Sequence, residues 1–168
     1  RNNKIVGVNV TVPFKKLIIP FLDKLDSSAE ETQSVNTLFK ISNKVVGYNT
    51  DKAGFLETIK KLYPKNKNSM MPLPLESKSI LILGAGGVTS SIISALKAEG
   101  ANNITLSNRT REKAKEIKKL FPEIEVVDWG KRPSICKIVI NTTSVGLTKD
   151  EELKIDFSDY DKNFHKNF

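Results

Sequence analysis

The chain of 168 residues contains one cysteine, Cys136, one histidine, His165, and one tryptophan, Trp129. A lone cysteine excludes an internal disulfide, and with a lone histidine no Cys/His metal spacing can be drawn, so no metal is expected. Thiol poverty of this kind suits a reducing compartment, and a cytoplasmic protein is the expectation. The chain opens on Arg1 instead of methionine, which leaves room for a targeting segment ahead of it. Long apolar runs are missing too. Stretches such as residues 80 to 83 fall far short of the ~20 residues that span a bilayer, so no membrane partner is expected. Arginine is scarce although the formal net charge is +8. Lysines run from Lys4 to Lys166 with acidic residues between them, and no aromatic residues interleave with a basic stripe. That pattern describes a solvated lysine-rich surface, and no nucleic-acid partner is expected.

What is present is an ordinary globular composition, 39% hydrophobic and 27% charged, enough for one normal core or two small ones. Residues 5 to 12 read as a β-branched strand closed by Pro13, within "VNVTVPFKK" at 8 to 16. Apolar positions from Phe14 to Leu25 suit a helix that Pro20 must kink or split. Serines and acids at 27 to 31 open a short helix. Residues 35 to 39 and 45 to 49 form a hairpin around Ser42-Asn43-Lys44, and a helix follows from about Lys52 to Leu62. Residues 64 to 78, with three prolines and no periodicity, read as a linker or surface excursion.

From Ser79 onward strands and helices alternate, which predicts a parallel sheet with helices on its faces. The expected organisation is therefore two α/β units, one over 1–63 and a second over 79–168, with the linker over 64–78 between them. In the second, "SILILGAGG" leads a buried strand into Gly84, Ala85, Gly86, Gly87 and Val88 at the start of a helix. That is the context a dinucleotide fingerprint requires: Gly84 for the tight turn, Gly86 for close approach of the pyrophosphate, and the helix N-terminus for its charge. Thr89 stands where the third fingerprint glycine would be, and a purely structural turn is the alternative. At the end of the next strand, Asn108, Arg109 and Thr110 replace the acid that NAD-binding domains present to the ribose. A guanidinium there matches a 2′-phosphate, and Lys113 lies one helical turn further on, so NADP(H) is the expected cofactor. The bland alternative makes Arg109 an exposed loop cation and Asn108 and Thr110 a helix cap.

Six blocks then stand in order: "NVTVPFK" at 9 to 15, "SVNTL" at 34 to 38, "GYNTDKAGF" at 47 to 55, "GAGG" at 84 to 87, "NRT" at 108 to 110 and "INTTSVG" at 140 to 146. Together they resemble the shikimate dehydrogenase family, in which quinate/shikimate dehydrogenases share the same blocks. The resemblance implies that Lys15 and Asp51 are a catalytic pair, that Thr11, Asn36 and Asp51 bind substrate, and that Ser144 and Val145 lie toward the nicotinamide. It also implies NADPH-dependent interconversion of 3-dehydroshikimate and shikimate in chorismate and aromatic amino-acid biosynthesis, by a monomer or homodimer. A quinate/shikimate enzyme using NAD or NADP, or a non-catalytic NADP-binding module, are the alternatives. Taken singly, Asp51 could cap its helix, Asn36 could serve hairpin backbone, and Thr11 could be an ordinary strand residue. The family's serine pair for the substrate carboxylate and its late tyrosine and glutamine have no counterpart here. The resemblance thus implies a chain corresponding to the middle of such an enzyme, truncated at both ends, with a partial substrate-binding/catalytic α/β domain over 1–63 and a partial Rossmann-like NADP-binding domain over 79–168.

Overall fold

The computed structural model describes residues 5–64, 75–148 and 151–157. Most of the expected linker, residues 65 to 74, and His165 lie outside the described residues. In chain order the elements are β1 (Gly7–Asn9), α1 (Phe14–Leu17), a 3₁₀ turn (Ile19–Phe21), β2 (Lys24–Leu25), α2 (Ser27–Thr32), β3 (Thr37–Ile41), β4 (Lys44–Tyr48) and α3 (Asp51–Leu62). They continue with β5 (Ser79–Leu83), α4 (Thr89–Ala98), β6 (Asn103–Ser107), α5 (Arg111–Leu120), β7 (Glu125–Val127) and β8 (Ile138–Asn141). These form two compact units, Arg1–Pro74 with Gly87–Gly100, and Leu75–Gly86 with Ala101–Phe168.

The first unit contains a four-stranded sheet in the order β1-β3-β4-β2, with β1/β3 and β3/β4 antiparallel and β2/β4 parallel. The β3–β4 hairpin turns through Ser42, whose φ is 56°. β1 is shorter than the β-branched run suggested. Its pairing to β3 closes at Asn9↔Thr37, one further bond joins Val10 N to Asn36 O, and Pro13 has no donor with which to extend the ladder. The apolar stretch after it is likewise divided. Pro20 sits in the first turn of the 3₁₀ segment, so the helix that the periodicity suggested is split there into α1 and the 3₁₀ turn, and its end is the strand β2.

Helix α2 is capped by Asp26, whose Oδ1 accepts from Ser28 N at 3.0 Å and Ser28 Oγ at 2.7 Å. These bonds, the Ser28 hydroxyl first, hold the Asp26 carboxyl below its ordinary value. By its contacts α4 belongs to this first unit, beside α2 and α3. Its residues Thr89 to Leu96 are all buried. A buried surface carrying serines at 90, 91 and 94 admits polar ties that an all-aliphatic helix could not make. One of them is a clamp on Glu31 of α2, whose Oε1 accepts from Ser94 Oγ at 2.5 Å and whose Oε2 meets Lys52 Nζ of α3 at 2.6 Å.

Burial opposes ionisation of Glu31, but the hydrogen bonds from Lys52 and Ser94 outweigh it and hold the carboxyl below the ordinary glutamate value of 4.5. A carboxyl with a depressed folded-state pKa stabilises the fold above its unfolded value and loses that contribution as pH falls through the folded one. Glu31→Gln is therefore expected to lower the melting temperature at neutral pH, with the gap to the parent protein narrowing as pH drops below 4.5. Thermal unfolding followed by circular dichroism across that range checks it, and a gap that stays constant with pH would count against the clamp.

The second unit is a parallel sheet in the order β7-β6-β5-β8. Ile80, Leu81, Ile82 and Leu83 of the central strand β5 are fully buried, the apolar run expected of a parallel strand covered on both faces. Helix α5 lies against β6 and β7 and buries Ala114 and Ile117. Leu81, Leu83 and Cys136 form a cluster on which Val139, Leu153, Ile155 and Phe157 pack, so the single cysteine is a buried core residue. The observed class is α/β with a Rossmann-like parallel sheet, as the alternation after Ser79 indicated.

Candidate active site

Lys15 lies in α1, a single turn introduced by Pro13 after the cis Val12–Pro13 bond. The turn is pinned at both ends by backbone: Phe14 N donates to Thr11 O, and Val35 N donates to Lys15 O at 2.8 Å. From there Lys15 Nζ reaches Asp51 Oδ2 at 2.7 Å. Only 14% of the lysine side chain and 22% of the aspartate are exposed, so the pair is largely withdrawn from water while one face stays accessible.

Asp51 is the first residue of α3, but its carboxylate does not cap the helix. One oxygen takes Lys15, and the other accepts from Asn36 Nδ2 at 3.0 Å. The Asn36 amide also donates to Thr50 Oγ1 at 2.9 Å, while its Oδ1 accepts from Thr50 N and from Thr37 Oγ1. Asn36 thus has a fixed orientation, which a residue meant to hold a ligand requires. The structure brings Lys15, Asn36 and Asp51 into one constellation. Thr11, at the exposed turn before α1, has no hydrogen-bond partner for its hydroxyl among the described residues.

Gly84 is required by its surroundings, and Gly87 leaves little room for a side chain. Gly84 has φ +104°, and a Cβ there would lie 2.8 Å from Thr143 Cγ2 and 2.9 Å from the backbone of Thr142. Gly87 faces the lysine: a Cβ would meet Lys15 Cβ and Cδ, both at 3.3 Å. The absent side chain at the last glycine of the loop leaves the space that the lysine stem of α1 occupies.

The turn after β8 seats the start of this loop, a role the sequence did not disclose. Thr142 Oγ1 donates to Leu83 O at 2.9 Å and Gly84 O at 3.0 Å, and Thr142 N donates to Leu83 O. Asn141 orders the turn itself, accepting from Thr143 N and Oγ1 and donating to Val145 O, which fixes the backbone at Ser144 and Val145. A threonine pair directly after a parallel strand was the available signal.

Asn108 accepts from Ala85 N at 3.0 Å and donates to Thr110 O at 2.6 Å, so its side chain joins the glycine loop to the β6–α5 turn. Arg109 is exposed and makes no hydrogen bond or ion pair among the described residues, as is Lys113. Arg111 is different: its guanidinium is paired with Asp128 at the end of β7. A nucleotide phosphate approaching this turn finds Arg109 and Lys113 unengaged and Arg111 already neutralised. The donor set therefore fits a 2′-phosphorylated dinucleotide, with a glycine turn bare of side chain and an adjacent unengaged fork of N–H groups.

Residues 1–38 match the family model for the shikimate dehydrogenase substrate binding domain, and residues 66–145 match the model for shikimate / quinate 5-dehydrogenase. The NADP(+) shikimate dehydrogenase of Pelagibacter ubique is 49% identical over 162 residues, which make up 96% of this chain and 57% of that protein. The chain belongs to the shikimate dehydrogenase family. The shikimate dehydrogenase structure from Aquifex aeolicus is 44% identical with a TM-score of 0.74, covering 89% of this chain and 52% of that one. The shikimate 5-dehydrogenase structure from Thermus thermophilus, in complex with NADP(H) and shikimate, is 30% identical with a TM-score of 0.68, covering 86% of this chain and 51% of that one. The chain spans about half the length of the shikimate dehydrogenases it matches. Among its described residues no helix is long and apolar enough to cross a membrane.

Proposed function

We propose that this protein catalyses the reversible NADPH-dependent reduction of 3-dehydroshikimate to shikimate. The observation that carries the reading is the Lys15–Asp51 ion pair at 2.7 Å, held from its other side by the Asn36 amide. Reduction of a ketone to a secondary alcohol requires hydride at carbon and a proton at oxygen. NADPH, when bound, supplies the hydride. Lys15 supplies the proton from its ammonium to the ketone oxygen, and in the reverse direction its neutral amine takes the hydroxyl proton. Asp51 holds the lysine nitrogen in place and, with the Thr11 hydroxyl, offers hydrogen bonds to the ring hydroxyls, which the Asn36 amide joins by exchanging one of its present partners for substrate. A flexible lysine confined in this way spends less of its rotamer entropy on reaching the reactive geometry.

On the cofactor side, Gly84 to Val88 accept the pyrophosphate, Asn108 and Thr110 shape the neighbouring turn, and Arg109 with Lys113 receive the 2′-phosphate. Residues 1–63 would then provide the substrate-side groups and 79–168 the cofactor-side groups, in a cytoplasmic monomer or homodimer that acts on a small molecule.

The test is absorbance of the reduced nicotinamide, using the full-length protein with shikimate and NADP, then quinate, then each with NAD. Turnover with shikimate and NADP exceeding every other pairing supports the reading. Preference for quinate or for NAD would reassign the substrate or cofactor. A folded protein that binds NADP and turns over neither acid would leave a cofactor-binding module.

A further inference from the structure

Asn49 stands two residues before Asp51 and is only 3% exposed. Neither the proton transfer nor cofactor binding uses it, yet its side chain makes three hydrogen bonds. Its Oδ1 accepts from Asp51 N at 2.9 Å and from Ser91 Oγ of α4 at 3.2 Å, and its Nδ2 donates to Ser34 O at 2.8 Å. Its own N–H donates to Ser28 Oγ at 3.1 Å. The three segments it joins are the ones that place the site. Ser34 precedes Val35, whose N–H holds Lys15 O, and the Ser34 hydroxyl donates to Gly87 O at 2.6 Å. Asp51 begins α3. Ser91 lies in the first turn of α4, and Gly87, two residues ahead of that helix, stands where an added Cβ would meet the Lys15 stem at 3.3 Å.

We infer that Asn49 is a positioning residue for the Lys15–Asp51 pair, tying the Asp51 backbone to the Ser34 segment that anchors Lys15 and to α4. The inference rests on the proposed role of that pair in proton transfer. Its physical basis is the cost of the alternatives. A buried asparagine with three of its four side-chain hydrogen-bonding directions satisfied permits little adjustment, since moving one segment leaves a polar group of another unpaired. Of its bonds, the one from Asp51 N is local, an Asx turn that sets where the helix begins and hence where the Asp51 carboxylate points. The bond to Ser34 O is long-range and sets how far Lys15 lies from that carboxylate. Displacements well under a helical turn are sufficient to matter, because misplacement by about 1 Å can cost about 100-fold in rate.

The experiment uses the full-length protein and two variants, Asn49→Ala and Asn49→Ser, each also placed in an Asp51→Asn background. Serine can restore a weaker turn to the residue 51 amide, but it lacks the donor to Ser34 O. Asn49→Ala is expected to lower kcat by about 10- to 100-fold and Asn49→Ser by about 3- to 10-fold, with NADP affinity within about twofold of the parent in both. With Asp51→Asn already present, either substitution should cost less than about twofold more, because a residue acting through Asp51 has nothing left to position. A merely structural role would give the same further loss in both backgrounds and would overturn the inference, as would parent-level kcat in Asn49→Ser. If Asn49→Ala does not fold, the serine variant and its cycle decide alone. Parental turnover is measured first: its absence refutes the proposed activity, whereas a normal parent with additive variants refutes only the role of Asn49.

Discussion

Replacing Lys15 with alanine in the full-length protein is expected to reduce turnover of shikimate and NADP by about 100- to 10,000-fold, the range supplied by a positioned general acid or base. Nothing nearby is equipped to take over. The Asp51 carboxylate is bound on both oxygens, and the Asn36 amide has no proton to transfer in this chemistry. Affinity for NADP should stay within about twofold, since no hydrogen bond to the phosphates is assigned to the Lys15 nitrogen. Truncation also removes the aliphatic stem that fills the space beside Gly87, so packing is a competing explanation. Lys15→Met separates the two, because it keeps an unbranched stem of similar volume without the nitrogen. Both variants should lose turnover alike. Activity in Lys15→Met within about tenfold of the parent would remove Lys15 from proton transfer.

The second large effect concerns cofactor choice. Arg109→Ala is expected to raise the KM for NADP by about 10- to 100-fold and to leave the KM for NAD nearly unchanged, because charge-assisted hydrogen bonds to a phosphate are worth about 1.5–3 kcal/mol and NAD has no 2′-phosphate to lose them from. The pairing of Arg111 with Asp128 sharpens this expectation. The nearest other guanidinium in the sequence is committed and cannot readily substitute. Lys113→Ala should act in the same direction but more weakly, as a point charge on a flexible stem forms no planar fork. Raising the salt concentration should shrink the difference between parent and variant for NADP, since an exposed guanidinium is screened. Steady-state kinetics with both cofactors at two ionic strengths tests the whole set. Equal losses for NADP and NAD would mean that Arg109 supports the turn instead of reading the phosphate.

How these residues come together divides between sequence and tertiary structure along a physical line. Local rules carried the strands and helices after Ser79, because a parallel strand buried on both faces must be an apolar run and a β–α turn that bends sharply must use glycine. They also carried the β3–β4 hairpin and the start of α3, where turn residues and short-range periodicity suffice. They were less informative between Val10 and Leu25. There the apolar spacing fits a helix, while strand pairing of Lys24–Leu25 with β4 and the proline at 20 decide otherwise.

Lys15, Asn36 and Asp51 were nameable from the ordered blocks, and Arg109 from its place at a strand end. Their contact was not, because Lys15 and Asp51 are separated by 36 positions and no periodicity spans such a loop. The role of Thr142 as a seat for Gly84, the commitment of Arg111 to Asp128, and the three-way engagement of Asn49 also lay beyond reading. Residue types and local backbone preferences are properties of a few neighbouring positions, so the sequence by itself determined which chemistry was carried and on what kind of element. Which side chain satisfies which buried donor or acceptor depends on where distant segments close upon one another, and that was decided only by the tertiary structure.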